Sequence, residues 1–284
     1  MVYFLAIGSA VLYGAADFTG GLTTRRASTI PVVLISQATG LALLALILPL
    51  LPDASPTRAD LLWGAAAGLT GGIGVALLYH ALAIGTMAVV APTTAVCAVV
   101  IPVVVSVLLG ERPVPLAVAG IALGIVSIVL VSQQQAGTRD QTSPRSRPSG
   151  VGTALASGIA IGLFLLSFAQ TGSEAGMWPL LVARLVSVTL FAVMAIAGGR
   201  SIRMPARVTA LALLAGVMDM LANALYLLAT RQGALSIVVT LSSLYPASTV
   251  LLARIVLGER LQPWQITGVG CALAAVVLIV SGGR

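Results

Sequence analysis

The 284-residue chain has no lysine, a single histidine, two cysteines and only eight acidic residues. Each shortage excludes something. With 8% charged residues there is too little charge to coat the surface of a water-soluble domain of this size. The lone His80 cannot assemble the paired-histidine or Ser-His sets that metal or nucleophilic chemistry requires, so an intramembrane enzyme is disfavoured. Cys97 and Cys271 sit in separate apolar runs and read as small packing residues, with neither a disulfide framework nor metal-ligand spacing. Without lysine there is no phosphate-cradling Gly-Lys-Ser/Thr loop, which excludes ATP-driven transport by this chain alone; no cofactor is expected. All 15 basic residues are arginine, scattered through short loops as headgroup anchors rather than gathered into a nucleic-acid footprint.

What the chain has is apolar length. Hydrophobic residues make up 58% of it and its mean hydropathy is +1.08, so lipid must be its main solvent. Long apolar runs containing Gly and Pro, without ten-residue alternation, indicate helices rather than a barrel. Ten spans of about 20 residues fit a hydrocarbon core of about 30 Å. They are Val2–Gly21, Ile30–Leu51, Leu61–Leu82, Met87–Leu109, Val114–Ser132, Val151–Gln170, Met177–Ala197, Arg207–Ala229, Leu235–Leu257 and Trp264–Ser281. The first lacks a charged leader and is read as a retained helix rather than a signal peptide.

The chain is also written twice. Gly85–Arg112 and Gly233–Arg260 both begin with Gly, run one membrane thickness and end Leu-Gly-Glu-Arg. The offset of 148 residues (Gly85 to Gly233, Gly110 to Gly258) also pairs Gly14 with Gly162, Pro115 with Pro263 and Gly120 with Gly268. A period of half the chain means duplication of a whole unit. Residues 1–132 and 151–284 are the expected copies, joined by a polar linker at 133–150. Five spans per copy is an odd number, so the second copy enters the membrane from the opposite side. The expected fold is all-α, ten helices as two inverted five-helix repeats.

Ionisable and polar groups inside the spans are costly and mark candidate sites. Asp219 lies mid-span in the eighth segment, with Asn223 and Tyr226 on the same helical face, placed to donate hydrogen bonds. Arg184 in the seventh is its natural partner, and Gln37 holds nearly the matching place in the first copy. A permanent Arg184–Asp219 pair would be structural; an Asp219 that opens to a cavity could carry a coupling proton. Asp17 sits either at the water boundary or in a cavity. The ninth span carries Thr240, Ser243, Tyr245 and Pro246, and the fourth answers with Pro92, Thr93 and Pro102. Kinked or broken helices at matching places point to a substrate site. The Glu-Arg at each repeat end reads as architectural, after a glycine that stops the helix.

At these residues the chain resembles the EamA-type members of the drug/metabolite transporter superfamily. The matching features are Ser243-Leu244-Tyr245-Pro246, both Leu-Gly-Glu-Arg stretches and Ala183-Arg184, and the likeness spans nearly the whole chain. Gln37 replaces the usual second-span Arg, and Ala98 stands where the second copy has Pro246. The resemblance implies a multi-pass protein of the cell membrane. Its partners would be the lipid bilayer and a small metabolite, such as an amino acid or an amphipathic compound, exported by alternating access through a central cavity. A receptor or scaffold without flux is the alternative.

The resemblance also implies cytoplasmic termini, whereas the arginine count favours a cytoplasmic linker, with Arg25, Arg26, Arg139, Arg145, Arg147, Arg200, Arg203, Arg207 and Arg260 on the side opposite the termini. In a Cys97→Ser/Cys271→Ser background, Ser143→Cys should react with an impermeant thiol reagent in intact cells, placing the linker outside. Labelling only after lysis would show the charge rule to prevail.

Overall fold

The computed structural model describes residues 1–108, 114–132, 150–199, 201–232, 238 and 241–282. Among them are ten α-helices and no strand: α1 Val2–Thr24, α2 Thr29–Ile47, α3 Arg58–Ile84, α4 Met87–Leu108, α5 Pro115–Ser132, α6 Val151–Ala169, α7 Trp178–Ala197, α8 Ala206–Gln232, α9 Tyr245–Val256 and α10 Pro263–Gly282. Eight are long and apolar enough to cross a bilayer, while α5 and α9 contain shorter apolar helical stretches. The protein is a multi-pass membrane bundle.

The ninth segment is interrupted next to Pro246. A turn at Ser243–Leu244 precedes α9, which begins at Tyr245 with Pro246 in its first turn. Proline has no N–H to give and suits a helix start. The fourth segment has no such interruption. Pro92 and Pro102 lie inside one continuous α4, so the two copies are not broken at matching places. The carbonyl that Pro102 leaves without a helical donor, that of Ala98, is covered instead by Gly162 of α6.

Inverted symmetry is visible bond by bond. Ser9 Oγ donates to the Ala222 carbonyl at 3.0 Å, and Ser157 Oγ donates to that of Gly74 at 2.8 Å; both ends of the bond shift by the repeat offset. Thr94 Oγ1 donates to Ala154 and Ser242 Oγ to Ala6, again at matching positions. Thus α1 packs on α8 as α6 packs on α3, and α1 on α9 as α6 on α4. α2 packs against its own counterpart α7, and α5 against α10. The α5–α10 pair leans on α4 at the edge of the bundle.

Small residues make these crossings possible, since helices in lipid associate through close backbone contact and interhelical hydrogen bonds rather than apolar burial. A Cβ on Gly68 would fall 2.4 Å from the Ala183 carbonyl oxygen, and one on Gly216 2.3 Å from that of Ser36. The match between the copies is incomplete. α1 and α3 pack together at their C-terminal ends, where Gly20 lies against the Tyr79 ring and Gly21 against Leu82. Their counterparts α6 and α8 make no comparable contact among the described residues, and Ala169, the equivalent of Gly21, is exposed. Among the described residues, then, α1 and α3 meet at one end of the bundle, and α6 and α8 do not meet in the same way at the other.

The loops are tied by carboxylates. Glu259 accepts from the N–H groups of Met87 at 3.1 Å and Ala88 at 3.0 Å, so the Leu-Gly-Glu-Arg stretch of the second copy covers the first turn of α4 in the first. Arg25 pairs with it at 3.2 Å and also donates to the Leu82 and Gly85 carbonyls. Gly258, at φ +65, supplies the left-handed turn that ends α9. On the opposite face Asp60 forms a capping box with Thr57 and accepts from the Gly172 N–H at 2.7 Å. Glu111, Arg112 and the linker at 133–149 lie outside the described residues.

Gly68→Val should lower the thermal unfolding temperature in detergent. Overpacking of this kind costs about 1–3 kcal/mol where a neighbour can yield, and here the neighbour is backbone. Gly152→Ala, with open space around its Cβ, should leave the unfolding temperature unchanged.

Candidate functional site: a charged cluster between the repeats

The intramembrane charges meet where the two copies face each other. Arg184 of α7 donates through Nη2 to the Asp219 carboxylate of α8 and through Nη1 to the Gln37 side-chain carbonyl of α2. The guanidinium lies beside Gly40, where an added Cβ would stand 3.6–3.7 Å from its atoms. The side chains of Arg184 and Asp219 are 12% and 26% exposed, so the pair is largely but not fully shielded. Gln37 and Arg184 come from the two symmetry-related helices, and a neutral acceptor in one copy meets the cation of the other. Two arginines there would repel; glutamine leaves room for one cation shared between a carboxylate and an amide oxygen.

The remaining candidates divide. Asn223 does not reach the Asp219 carboxylate, because its amide donates to the Asp219 backbone carbonyl at 2.7 Å. Tyr226 packs, half-buried, beside Ala6, Ala229 and Val238 rather than bonding to Asp219. Thr93 is buried and spends its hydroxyl on the Val89 carbonyl at 2.8 Å, one turn back on its own helix, so it offers nothing to a cavity. Ser243 lies in the turn before α9. Thr240 is outside the described residues.

Asp17 is half-buried on α1, between Tyr13 and the Gly20 that meets the Tyr79 ring. Tyr245, the first residue of α9, sets its ring edge-on to Tyr13 with centroids 6.4 Å apart. Tyr13 is one turn before Asp17 on the same face of α1, and Tyr79 closes the other side by resting on Gly20. Sequence reasoning missed Tyr13 and Tyr79 as members of this cluster. The signal was the Tyr13–Asp17 spacing of four residues. The two surface clefts, at Leu48–Ala54 with Gly176–Trp178 and at Arg254–Leu261, are loop features apart from the cluster.

An all-helical membrane bundle of two inverted five-helix repeats, with ionisable side chains held between them, is the architecture of a transporter. The EamA-like transporter family model matches residues 1–133 and again 148–281, and the chain belongs to that family. A search of curated proteins finds no match. One solved structure, titled only "Crystal structure of protein", is 19% identical with a TM-score of 0.61, covering 96% of this chain and 94% of its own; that likeness concerns the fold alone.

Asp219→Asn should destabilise the protein by leaving Arg184 with no counter-ion. Breaking a buried pair costs about 3–5 kcal/mol, and less here because Asp219 retains some exposure. Arg184→Gln together with Asp219→Asn should recover part of the loss. The measurement is a double-mutant cycle of thermal unfolding in detergent, and strict additivity would show the two groups uncoupled.

Proposed function

We propose that the protein is a secondary transporter of the cell membrane that moves a small amphipathic metabolite by alternating access. The observation that carries this reading is the Arg184–Asp219–Gln37 cluster, placed inside the bilayer on helices of both repeats. A charge pair there is costly to bury, and a purely packing role would be served better by apolar side chains of similar volume.

The broken symmetry supports the alternating step. Two copies of one fold in opposite orientation need only exchange conformations to turn the opening from one face to the other. The α1–α3 contact, without a comparable α6–α8 contact among the described residues, is what this reading expects of one member of such a pair of states. The mirror state brings Phe168 and Ala169 toward the C-terminal end of α8 and releases Gly20 and Gly21 from Tyr79 and Leu82. A coupling proton carried by Asp219 would require its pair with Arg184 to open during the cycle.

Proteoliposomes loaded with a defined mixture of labelled amino acids and aromatic amines should lose at least one component faster than protein-free liposomes. Arg184→Gln, inserted to the same level, should abolish the difference. Equal retention of every component with wild-type protein would favour a receptor or scaffold without flux.

A further inference from the structure

Two arginines at the turn from α9 to α10 have no partner. Arg254 lies in the last turn of α9 and Arg260 just beyond it, both exposed. Neither makes an ion pair or a hydrogen bond with any described residue. The two line one cleft of about 410 Å³, whose wall continues through Gly258, Glu259, Leu261 and Ile266. That volume falls in the range of small-ligand sites. Gly258 has open space where a Cβ would stand, so the wall there is bare backbone. Glu259 is already matched: Oε1 takes Arg25 and the Met87 N–H, and Oε2 takes the Ala88 N–H. Among the described residues, the cleft therefore offers two unpaired guanidiniums beside a carboxylate that is engaged elsewhere.

The helix face that carries Arg254 is turned outward. Leu251, Arg254, Ile255 and Gly258 recur at the spacing of one helical face, and Leu251 and Ile255 are 57% and 70% exposed. The opposite face, with Pro246, Thr249 and Ala253, is buried where α9 packs on α1 and α4. Across the turn, α10 opens with Pro263-Trp264, and tryptophan at the end of a span marks headgroup depth. Arg254 thus stands at the top of an apolar, lipid-facing stripe, with Arg260 on the same cleft at the level of the headgroups.

From this geometry we infer that Arg254 and Arg260 form a binding site for the phosphodiester of an anionic phospholipid, whose acyl chains lie along Leu251 and Ile255. A guanidinium is a planar fork that matches phosphate oxygens two at a time. A lipid is the occupant because the apolar stripe begins one turn from the cleft, so a single molecule meets both. A soluble phosphate would gain only exposed charges, which salt screens. A zwitterionic lipid brings its own ammonium to its phosphate and leaves the two arginines with less to neutralise. The site is independent of the transport reading, since it lies on the outer surface of the bundle and away from the Arg184–Asp219–Gln37 cluster.

The test is native mass spectrometry of the full-length protein, delipidated in neutral detergent and titrated with phosphatidylglycerol or with phosphatidylcholine of the same acyl chains. One phosphatidylglycerol should bind about tenfold more tightly than phosphatidylcholine, and it should raise the thermal unfolding temperature. Arg254→Gln and Arg260→Gln should each remove most of that preference. Arg254→Lys, which keeps the charge should Arg254→Gln fail to fold, should retain part of it. Arg58→Gln, an exposed arginine at the start of α3, should leave the preference intact.

Equal affinity for the two lipids would overturn the site. So would a preference that survives both glutamine variants, or one that Arg58→Gln weakens just as much, which would reduce it to general attraction by net charge. Equal stabilisation by glycerol phosphate or inorganic phosphate at matched concentration would also overturn it, by making the cleft a site for soluble anions.

Discussion

A bilayer interior supplies no hydrogen-bond partner, so each polar group in this protein must be satisfied by another part of the chain. The structure meets that constraint with hydroxyls that cross from helix to helix. Ser9, Ser157, Thr94, Ser248 and Thr249 donate to carbonyls of neighbouring helices. Such bonds are short-armed and need backbones close together, and the glycines at the crossings provide the approach. The same constraint makes the exceptions informative. Where a bonding group in the core has been left without a partner, the deficit has a chemical meaning that it would not have at a wet surface.

Much of the architecture was readable before any coordinates, and for definite reasons. The constant offset of 148 residues survives because the equivalent contacts constrain both copies alike; a serine that bonds α8 in one repeat bonds α3 in the other. The Arg184–Asp219 pair was legible because ions in apolar spans are so few that the partners nearly choose themselves. Gln37 could be suspected only through its place near the position of Arg184 in the other copy.

Other features were beyond the sequence. Thr93 looked like a cavity residue, but a threonine hydroxyl in a helix can equally bond four residues back, and spacing does not tell the two apart. Asn223 failed for the same reason. Nothing in the spacing of Tyr79 marks it, and only the approach of Gly20 from α1 brings it beside the central cluster. The unbroken α4 shows that a proline in a membrane helix does not by itself signal a break.

The reach of Glu259 carries a consequence for how such a chain came to be one molecule. Its carboxylate belongs to the second copy, yet the N–H groups it satisfies and the arginine it neutralises belong to the first. A first half standing alone would present a bare helix end and an unpaired guanidinium to the membrane boundary. Once that bond had formed across the fusion, the halves ceased to be interchangeable modules. Each became part of the other's solvent, and the freedom of either to drift was thereafter set by its neighbour.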